Sequence, residues 1–397
     1  MEAVEDLESG GNLTAGAHAL LTAVDSSDEP LYVQCWGGSN TLATALWFVN
    51  RTRRQDEMAA FVSKLRVYSI SDQDDTGPWL RQHFPNMRWI ASRDGFNMYG
   101  PATWSGISGK PSSVDAGGPN DTIVQQPWLD ANIRLGPLGE HYPKIAYIME
   151  GDSPSLMYNF ANGLGNPEYP SWGSWGGRYT ANPMHSYAQY ADAIDAVVGQ
   201  NNGTFTSNKA TIWRWREAFQ NEFAARIQWT LAPNDKNSSA TQTHPPIVVV
   251  NASCGSSHLE YKVGVNDTII LNASSSFSVD PGANLTFSWW QYREPSAWQS
   301  AAAVVPNVTI IPVEGSGGRI AQFKIPTPLS GYNGCAAPES VRGSGQFKEQ
   351  SKCPTFHVLV TVKDSNAKYP IERYKRVLLH TQSYGEPNPY NTAKTIR

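Results

Sequence analysis

Short apolar runs alternate with helical patterns through the first 230 residues, and this alternation constrains the fold more than any other feature of the sequence. The strand-like runs are Leu31–Cys35, Arg66–Ile70, Met87–Ala91 and Ile145–Met149. The helical patterns are Ala15–Val24 after a Thr14 cap, about residues 41–49 and 57–65, Ser155–Phe160, Tyr187–Val198 and Thr211–Thr230. Because strands that alternate with helices are joined by crossovers, this half predicts an α/β fold, a mostly parallel sheet with flanking helices.

The pattern changes near His244, after which the runs are β-branched or alternating and turn residues separate them. These runs are Ile247–Asn251, Tyr261–Val265, Thr268–Leu271, Leu285–Gln291, Val304–Pro312, Ile320–Ile325, Phe356–Val362 and Arg373–His380. Strands without helices predict an all-β antiparallel sandwich. We therefore expect a first domain over residues 1–238, a sandwich over 245–381 and a tail over 382–397, with the boundary in the polar segment 232–243.

The composition of the 397 residues excludes several classes of protein. With 40% hydrophobic and 17% charged residues, the chain is globular rather than disordered. A net charge of −4 and a pI near 6.1 predict no basic surface for nucleic acid. No apolar run is long enough to span a membrane, so we expect no membrane partner.

Glycosylation signals indicate a compartment. Ten Asn-x-Ser/Thr sequons occur, against about four expected by chance from the composition. They are Asn12, Asn50, Asn120, Asn202, Asn237, Asn251, Asn266, Asn272, Asn284 and Asn307. The excess predicts a secreted, extracellular glycoprotein, although the acidic first residues, MEAVEDLESGG, contain no signal peptide.

The four cysteines are compatible with an oxidising compartment. Cys335 and Cys353 flank a polar loop and are the preferred disulfide pair. Cys35 lies in an apolar strand, where a buried free thiol is expected. The sequence leaves the partner of Cys254 open.

Carboxylates follow three of the four predicted strands of the first domain. Glu150 and Asp152 follow Ile145–Met149, and Asp94 and Asn97 follow the strand that ends at Ala91. Asp72, Asp74 and Asp75 follow the strand that ends at Ile70. Because ligands of open α/β sheets bind at the carboxyl ends of the strands, these groups predict a site. Each could alternatively be a solvated loop or an ordinary Asp-Gly turn.

The types of residue in this predicted site suggest its ligands. Carboxylates without a His or Cys cluster favour a hard cation such as Ca²⁺ over Zn²⁺. Trp172 and Trp175 lie in the Gly-rich segment SWGSWGGRY, where exposed indoles could stack on sugar rings. Core packing is the alternative for both.

Several of these motifs together resemble one known family. CWGGSNTLATALW, ISDQDD, EGDSPS, WGSWGGRY and ATIWRWREAFQNEFAAR resemble the nucleoside-hydrolase-like domain of cellulose-binding proteins. SVDPGANL and TFSWWQYRE resemble the immunoglobulin-like domain that follows it in that family. The resemblance spans about Asn12 to His380 and implies a nucleoside-hydrolase-like sheet followed by an immunoglobulin-like sandwich.

The resemblance also implies a metal site and a reaction. A Ca²⁺ ion would be held by the carboxylate of Asp152 and the backbone carbonyl of Trp36. Gly151 occupies the position of the family's catalytic His, and Glu150 is the nearest replacement. The aspartate cluster that the family carries after an N-terminal strand has no counterpart, because Glu5, Asp6 and Glu8 do not follow an apolar strand.

Two functions therefore remain as expectations. The first is hydrolysis of N-glycosyl bonds by a Ca²⁺-activated water, with impaired activity. Its pocket would be lined by Glu150, Asp72 and Asp94 as catalytic residues and by Asn97, Trp172 and Trp175 as substrate contacts. The second is carbohydrate binding without catalysis, through Trp172, Trp175, Trp289, Trp290 and Trp298. The ligand would be a nucleoside or a carbohydrate, with cellulose as one candidate.

Overall fold

The structure is a computed structural model that describes residues 3–8, 12–92, 99–109, 114–182, 186–231, 242–264, 266–296, 305–326, 355–381 and 395–396. The chain forms two compact units. The first comprises Met1–Pro119, Ala146–Phe160 and Pro167–Arg214, and the second comprises Asn120–Ile145, Ala161–Asn166 and Trp215–Arg397. The domain ranges predicted from the sequence stay predictions.

The described secondary structure changes in character along the chain. The helices are α1 Ala3–Glu8, α2 Ala15–Asp25, α3 Asn40–Thr52, α4 Gln55–Ser63, α5 Thr76–His83, α6 Gln126–Asn132, α7 Gly136–Gly139, α8 Ser153–Met157, α9 Ala210–Trp213 and α10 Arg216–Trp229. The first strands are β1 Leu31–Cys35, β2 Leu65–Ser69, β3 Arg88–Ala91, β4 Tyr179–Asn182, β5 Ser186–Asp192, β6 Asp195–Val198 and β7 Thr204–Ser207. The later strands are β8 Val249–Val250, β9 Ser253–Cys254, β10 Leu259–Val263, β11 Thr268–Asn272, β12 Leu285–Tyr292, β13 Ile311–Pro312, β14 Ile320–Lys324, β15 Thr355–Asp364, β16 Arg373–Thr381 and β17 Thr395–Ile396.

The first unit is built on a sheet of order β1-β2-β3-β5-β4, in which β1, β2, β3 and β5 are parallel and β4 is antiparallel. One face packs against helices α2 to α5 through apolar side chains such as Val67 and Trp89. The other face carries Tyr68, Ile90, Trp104, Tyr158 and Tyr179. The predicted mostly parallel α/β fold is therefore confirmed.

Several predicted elements agree closely with the structure. Leu31–Cys35 is a strand with the bounds read from the sequence. Thr14 caps α2, because its hydroxyl accepts a hydrogen bond from the amide of Ala17 at 3.2 Å. Cys35 is a buried free thiol, as expected, whereas Cys254 is free and exposed. The predicted pair Cys335 and Cys353 lies outside the described residues.

Two predicted elements of the first domain are wrong. Ile145–Met149 is not a strand, and Tyr147 within it is 89% exposed. The run is too short for its periodicity to distinguish a strand from an irregular segment, and it finds no strand partner among the described residues. Tyr187–Val198 forms β5 and β6 instead of a helix. Its residues Gln189 and Tyr190 pair with Trp89 and Ile90, and this tertiary pairing outweighs the local helical pattern.

The second unit contains two four-stranded sheets, of order β10-β16-β15-β12 and β13-β14-β11-β17. Most pairs are antiparallel, but β10 runs parallel to β16 and β17 parallel to β11. Side chains of both sheets, among them Ile269, Phe323, Val360 and Val377, enclose one apolar core. The predicted β-rich C-terminal region is confirmed. Among the described residues, no helix is long and apolar enough to cross a membrane.

Candidate functional site at the Glu150–Asp152 turn

The turn Glu150-Gly151-Asp152 belongs to the first unit and leads directly into α8. Ser108 fixes the turn by two hydrogen bonds, since its hydroxyl accepts from the amide of Glu150 at 2.9 Å and donates to its carbonyl at 2.5 Å. The ring of Trp104 flanks Gly151, where a Cβ atom would lie 3.4 Å from the indole. The two carboxylates therefore sit on a backbone that is held from both sides.

The two carboxylates of the turn are in different environments. The carboxylate of Glu150 accepts a hydrogen bond from the Ser153 hydroxyl at 2.5 Å. Among the described residues, none donates a hydrogen bond to the half-buried carboxylate of Asp152. Burial and the nearby charge of Glu150 raise the pKa of Asp152 above its ordinary value. Asp152 is thus the carboxylate of the turn that a ligand can still engage.

An exposed indole lies against the same turn. The ring nitrogen of Trp36 donates to the hydroxyl of Ser155 at 2.6 Å, and that hydroxyl donates to the carbonyl of Asp152 at 2.9 Å. Trp36 is nevertheless 50% exposed. Its ring is therefore anchored at the polar end while part of its surface remains open to solvent.

The carboxylates that follow β2 are held by the protein itself. Asp72 forms a bidentate ion pair with Arg81, with distances of 2.8 and 2.5 Å. Asp74 accepts from the amide and the hydroxyl of Thr76, at 3.0 and 2.5 Å. Asp75 accepts from the amide of Val4 at 3.2 Å. The structure therefore does not leave Asp72 available as the catalytic residue that the sequence suggested.

The Gly37-Gly38 turn after β1 explains how Asp74 reaches its position. A side chain at Gly38 would overlap the Asp74 carboxylate, whereas a Cβ at Gly37 would meet nothing within 4 Å. The hydroxyls of Ser39 and Thr76 lie 2.8 Å apart and tie the loop after β1 to the loop after β2. The glycine at position 38 is thus required for the packing of these two loops.

The residues of this edge fit a resident Ca²⁺ ion only in part. Ca²⁺ takes about six to eight oxygen ligands. Asp152 and the Trp36 carbonyl remain available, but the carboxylates of Asp72, Asp74 and Asp75 are already engaged. Within the described ranges, no group of three acidic, His or Cys side chains is placed to hold a metal. The described residues therefore do not form a complete calcium site.

Beside the turn, Trp104 and its neighbour Thr103 are buried, and Trp104 contacts an exposed tyrosine ring. The Trp104 ring nitrogen and the Thr103 hydroxyl are buried and have no hydrogen-bond partner among the described residues. Tyr99 packs edge-on against Trp104, with ring centroids 5.4 Å apart, and is half exposed. Buried donors without partners are unfavourable unless water or a ligand satisfies them.

The tryptophans of the Gly-rich segment do not present the exposed faces that the sequence suggested. Trp175 is 1% exposed and packs against Phe160, and Trp172 is also buried. The glycines permit this burial, because a Cβ at Gly176 would overlap the carbonyl of Pro154. The expectation that Trp172 and Trp175 expose their rings to a sugar is therefore wrong.

The sandwich tryptophans are also engaged in packing. The ring nitrogen of Trp289 donates to the carbonyl of Gly318, and that of Trp290 donates to the hydroxyl of Thr361.

Asp94, Asn97 and Trp298 lie outside the described residues. Ser108, Ser155, Tyr99, Trp104 and the Trp36 indole were not predicted from the sequence. Only the Ser-Pro-Ser sequence after Asp152 offered a local signal for one of them.

Comparisons with known proteins agree with this architecture. Residues 1–179 match the family model described as cellulose-binding Sde182, nucleoside hydrolase-like domain. Residues 268–381 match that of cellulose-binding protein Sde0182, C-terminal domain. The chain is also similar to a solved nucleoside hydrolase-related hypothetical protein from Saccharophagus degradans, associated with carbohydrate metabolism, at 29% identity and a TM-score of 0.65. That match covers 94% of this chain and 76% of the other. No curated protein matches the chain.

Proposed function

We propose that the first unit binds a glycosyl compound at the Glu150–Asp152 turn and hydrolyses it only slowly, and the match of residues 1–179 to the nucleoside hydrolase-like domain of cellulose-binding Sde182 supports this proposal. The observation that carries the proposal is the half-buried Asp152 carboxylate, to which no described residue donates a hydrogen bond. Burial without such a partner is unfavourable, and a sugar hydroxyl that donates to Asp152 would relieve it.

The aromatic side chains at this edge support a sugar as the ligand. Trp36 and Tyr99 both expose about half of their surface, and the Trp36 ring is fixed by Ser155. Amphipathic rings that are held in place offer contact area at a low cost in conformational entropy. One face of a sugar ring can lie against such a ring while one of its hydroxyls donates to Asp152.

Slow hydrolysis follows from the chemistry of the available groups. Glycosyl transfer passes through an oxocarbenium-like transition state that carboxylates stabilise, and an acid must protonate the leaving group. Glu150 and Asp152 can serve these needs, and the raised pKa of Asp152 supports a proton-donating role. A resident Ca²⁺ would supply an activated water, but the described residues complete only part of its coordination.

Calorimetric titration with ribose and with cello-oligosaccharides tests the binding proposal. Asp152→Ala should weaken binding at least tenfold, since the ligand then loses a charged hydrogen-bond acceptor. Glu29→Gln is the matched control, because Glu29 is an exposed carboxylate elsewhere on the first unit. Equal affinities of Asp152→Ala and the unaltered chain would overturn the proposal.

Release of nitrophenol from aryl ribosides, with and without added CaCl₂, tests the catalytic part. We expect turnover far below the usual enzymatic range of about 1–10³ s⁻¹. Glu150→Gln and Asp152→Asn should abolish whatever activity remains. Turnover within the usual range would contradict the proposal of slow hydrolysis but leave the binding site intact.

We also propose that the chain is secreted and carries N-linked glycans. Asn12, Asn50, Asn202, Asn272 and Asn307 are exposed, as acceptor sites must be. Asn284 is also exposed and donates its side-chain amide to Ser365, whereas Asn251 is half-buried and donates its own to Tyr261. Treatment of protein from a secreting host with an N-glycosidase should therefore shift its mass, and Asn50→Gln should reduce that shift more than Asn251→Gln. An unchanged mass would refute the proposal.

A further inference from the structure

A second polar cluster lies on the face of the sheet that carries Tyr68 and Ile90. Tyr32, Arg66 and Arg88 are adjacent in register on β1, β2 and β3. All three contact Glu168. The Tyr32 hydroxyl donates to its carboxylate at 2.9 Å, Arg66 at 2.9 and 3.0 Å, and Arg88 at 3.1 Å. We call these four residues the Glu168 cluster.

The Glu168 cluster contains more donors than its single carboxylate can use. Two guanidinium groups face one carboxylate, so the cluster carries a net positive charge. Burial raises the pKa of Glu168, but the hydrogen bonds from Arg66 and Tyr32 and the charge of Arg88 outweigh it and leave the pKa below its ordinary value. The carboxylate is therefore ionised at neutral pH, and the cluster is pre-formed rather than assembled by a ligand.

A small cavity adjoins the cluster, and one of the residues that line it has an unsatisfied side-chain acceptor. The cavity has a volume of about 10 Å³ and is lined by Tyr32, Arg66, Arg88 and Asn159, among others. This volume holds about one water molecule or one hydroxyl group. The Asn159 side-chain oxygen is buried and has no hydrogen-bond partner among the described residues, while its amide nitrogen donates to the carbonyl of Ser155 at 3.2 Å.

The combination of groups selects the chemistry of the occupant. An anion could use the surplus guanidinium donors but would be repelled by the Asn159 oxygen, which is itself an acceptor. A hydroxyl group both donates and accepts, so it can satisfy Asn159 and an arginine together. A neutral polyhydroxylated molecule therefore fits the cavity better than a phosphate or a carboxylate does.

Exposed aromatic rings flank the cluster. Tyr32 is 38% exposed. Tyr169, which follows Glu168 in the chain, is 47% exposed and stacks flat on the buried Trp172, with ring centroids 4.2 Å apart. Trp172 thus supports an exposed ring rather than serving as one. Rigid tyrosine rings beside fixed hydrogen-bond donors are suited to a sugar ring with one apolar face.

From this geometry we propose that the Glu168 cluster is a second sugar-binding subsite. One hydroxyl of a neutral sugar enters the cavity and donates to the Asn159 oxygen, and the sugar ring rests on Tyr32. Tyr32 and Trp36 are four residues apart, or about 13 Å along an extended strand. Asn159 is linked to the Asp152 turn through Ser155, whose carbonyl accepts from Asn159 and whose hydroxyl bonds to Trp36 and Asp152, so the Tyr32 variants are the ones that test the subsite by itself.

Titration with glucose and cellotetraose as probes tests the subsite. Tyr32→Ala should weaken the binding of cellotetraose at least fivefold, because the aromatic contact is lost. Tyr32→Phe keeps the ring and should stay within about threefold of the unaltered chain. Asn159→Leu should weaken binding about fivefold, because the cavity then offers no acceptor. Tyr147→Ala is the matched control, since Tyr147 is an exposed tyrosine outside the cluster.

The outcomes separate this proposal from the one for the Asp152 turn. Loss of binding in Asp152→Ala with normal binding in both Tyr32→Ala and Asn159→Leu would overturn the second subsite alone. The reverse pattern would overturn the Asp152 site alone. Thermal melting of each variant shows whether a loss of sugar binding reflects unfolding. The sugar affinity of Tyr32→Phe, which keeps the ring, tests the aromatic contact independently. Competition by inorganic phosphate, or no binding of either sugar, would overturn the proposal.

Discussion

The carboxylates after β2 and those of the Glu150–Asp152 turn look alike in the sequence but differ in the structure. Asp72, Asp74 and Asp75 each accept hydrogen bonds from the protein itself. Asp152 receives none from the described residues, and its pKa is raised. The first group therefore holds loops together, whereas the second retains an unused interaction. A cluster of charges becomes a candidate site only where the fold leaves it unsatisfied.

The largest expected effect is a loss of stability when a carboxylate that follows β2 is removed. Asp72→Ala removes the bidentate partner of Arg81, and both side chains are mostly buried. We expect the free energy of unfolding to fall by about 2–3 kcal/mol, because a buried guanidinium is left unpaired. Asp75→Ala is the control, since Asp75 is exposed, and it should change stability by less than about 0.5 kcal/mol. Urea unfolding of both variants measures this difference. Equal free energies of unfolding for Asp72→Ala and Asp75→Ala would contradict a structural role for Asp72.

A substitution in the Gly37-Gly38 turn tests how tightly Asp74 is held. Gly38→Ala should destabilise the fold by about 1–3 kcal/mol, because the new methyl group overlaps the Asp74 carboxylate. Gly37→Ala meets no atom within 4 Å and should be nearly neutral. Denaturant melts of the pair would contradict the proposed packing if both variants had the stability of the unaltered chain.

Loss of the Ser155 hydroxyl should weaken ligand binding at the Glu150–Asp152 turn, because this hydroxyl holds Trp36 in place. Ser155→Ala leaves the Trp36 ring nitrogen without its acceptor, so the indole is no longer fixed beside Asp152. We expect sugar affinity to fall about threefold and stability by about 0.5–1.5 kcal/mol. Ser63→Ala serves as a control, because the Ser63 hydroxyl bonds only to the carbonyl of Ala60 in its own helix. Unchanged titration curves for Ser155→Ala would show that the indole does not contact the ligand.

The smallest expected effect is a dependence of stability on pH. Because the pKa of Asp152 in the folded protein is raised above its ordinary value of 3.8, protonation of Asp152 contributes fully to stability below about pH 3.8. This contribution is lost as the pH rises through the folded pKa. Asp152→Asn should therefore gain stability at pH 7 relative to the unaltered chain, by less than about 1 kcal/mol because the group is partly solvated. The gain should vanish at pH 3, and an equal gain at both pH values would contradict the assignment.

Much of the architecture could be predicted because it is encoded locally. The strands at Leu31–Cys35 and near Ile320–Ile325 could be predicted because each is a short run of apolar or alternating residues. The segment Tyr187–Val198 could not be predicted, since its pairing with β3 joins residues about 100 positions apart. The sequence left open whether Trp175 is exposed or packed in the core, and the structure shows that it is buried. Its packing depends on the close approach of Gly176 to Pro154, which no local pattern records.

The sequence by itself determined the alternation of strands and helices from Ala15 to Ala91, the change to β-structure near His244, and the motifs that resemble the nucleoside-hydrolase-like domain of cellulose-binding proteins. These features follow from periodicity and from motifs that act over a few residues. Only the tertiary structure decided which carboxylates are satisfied, which rings are exposed, and that Glu168 gathers Tyr32, Arg66 and Arg88. Hydrogen bonding and burial depend on distances between segments remote in the chain, and those distances exist only once the chain has folded.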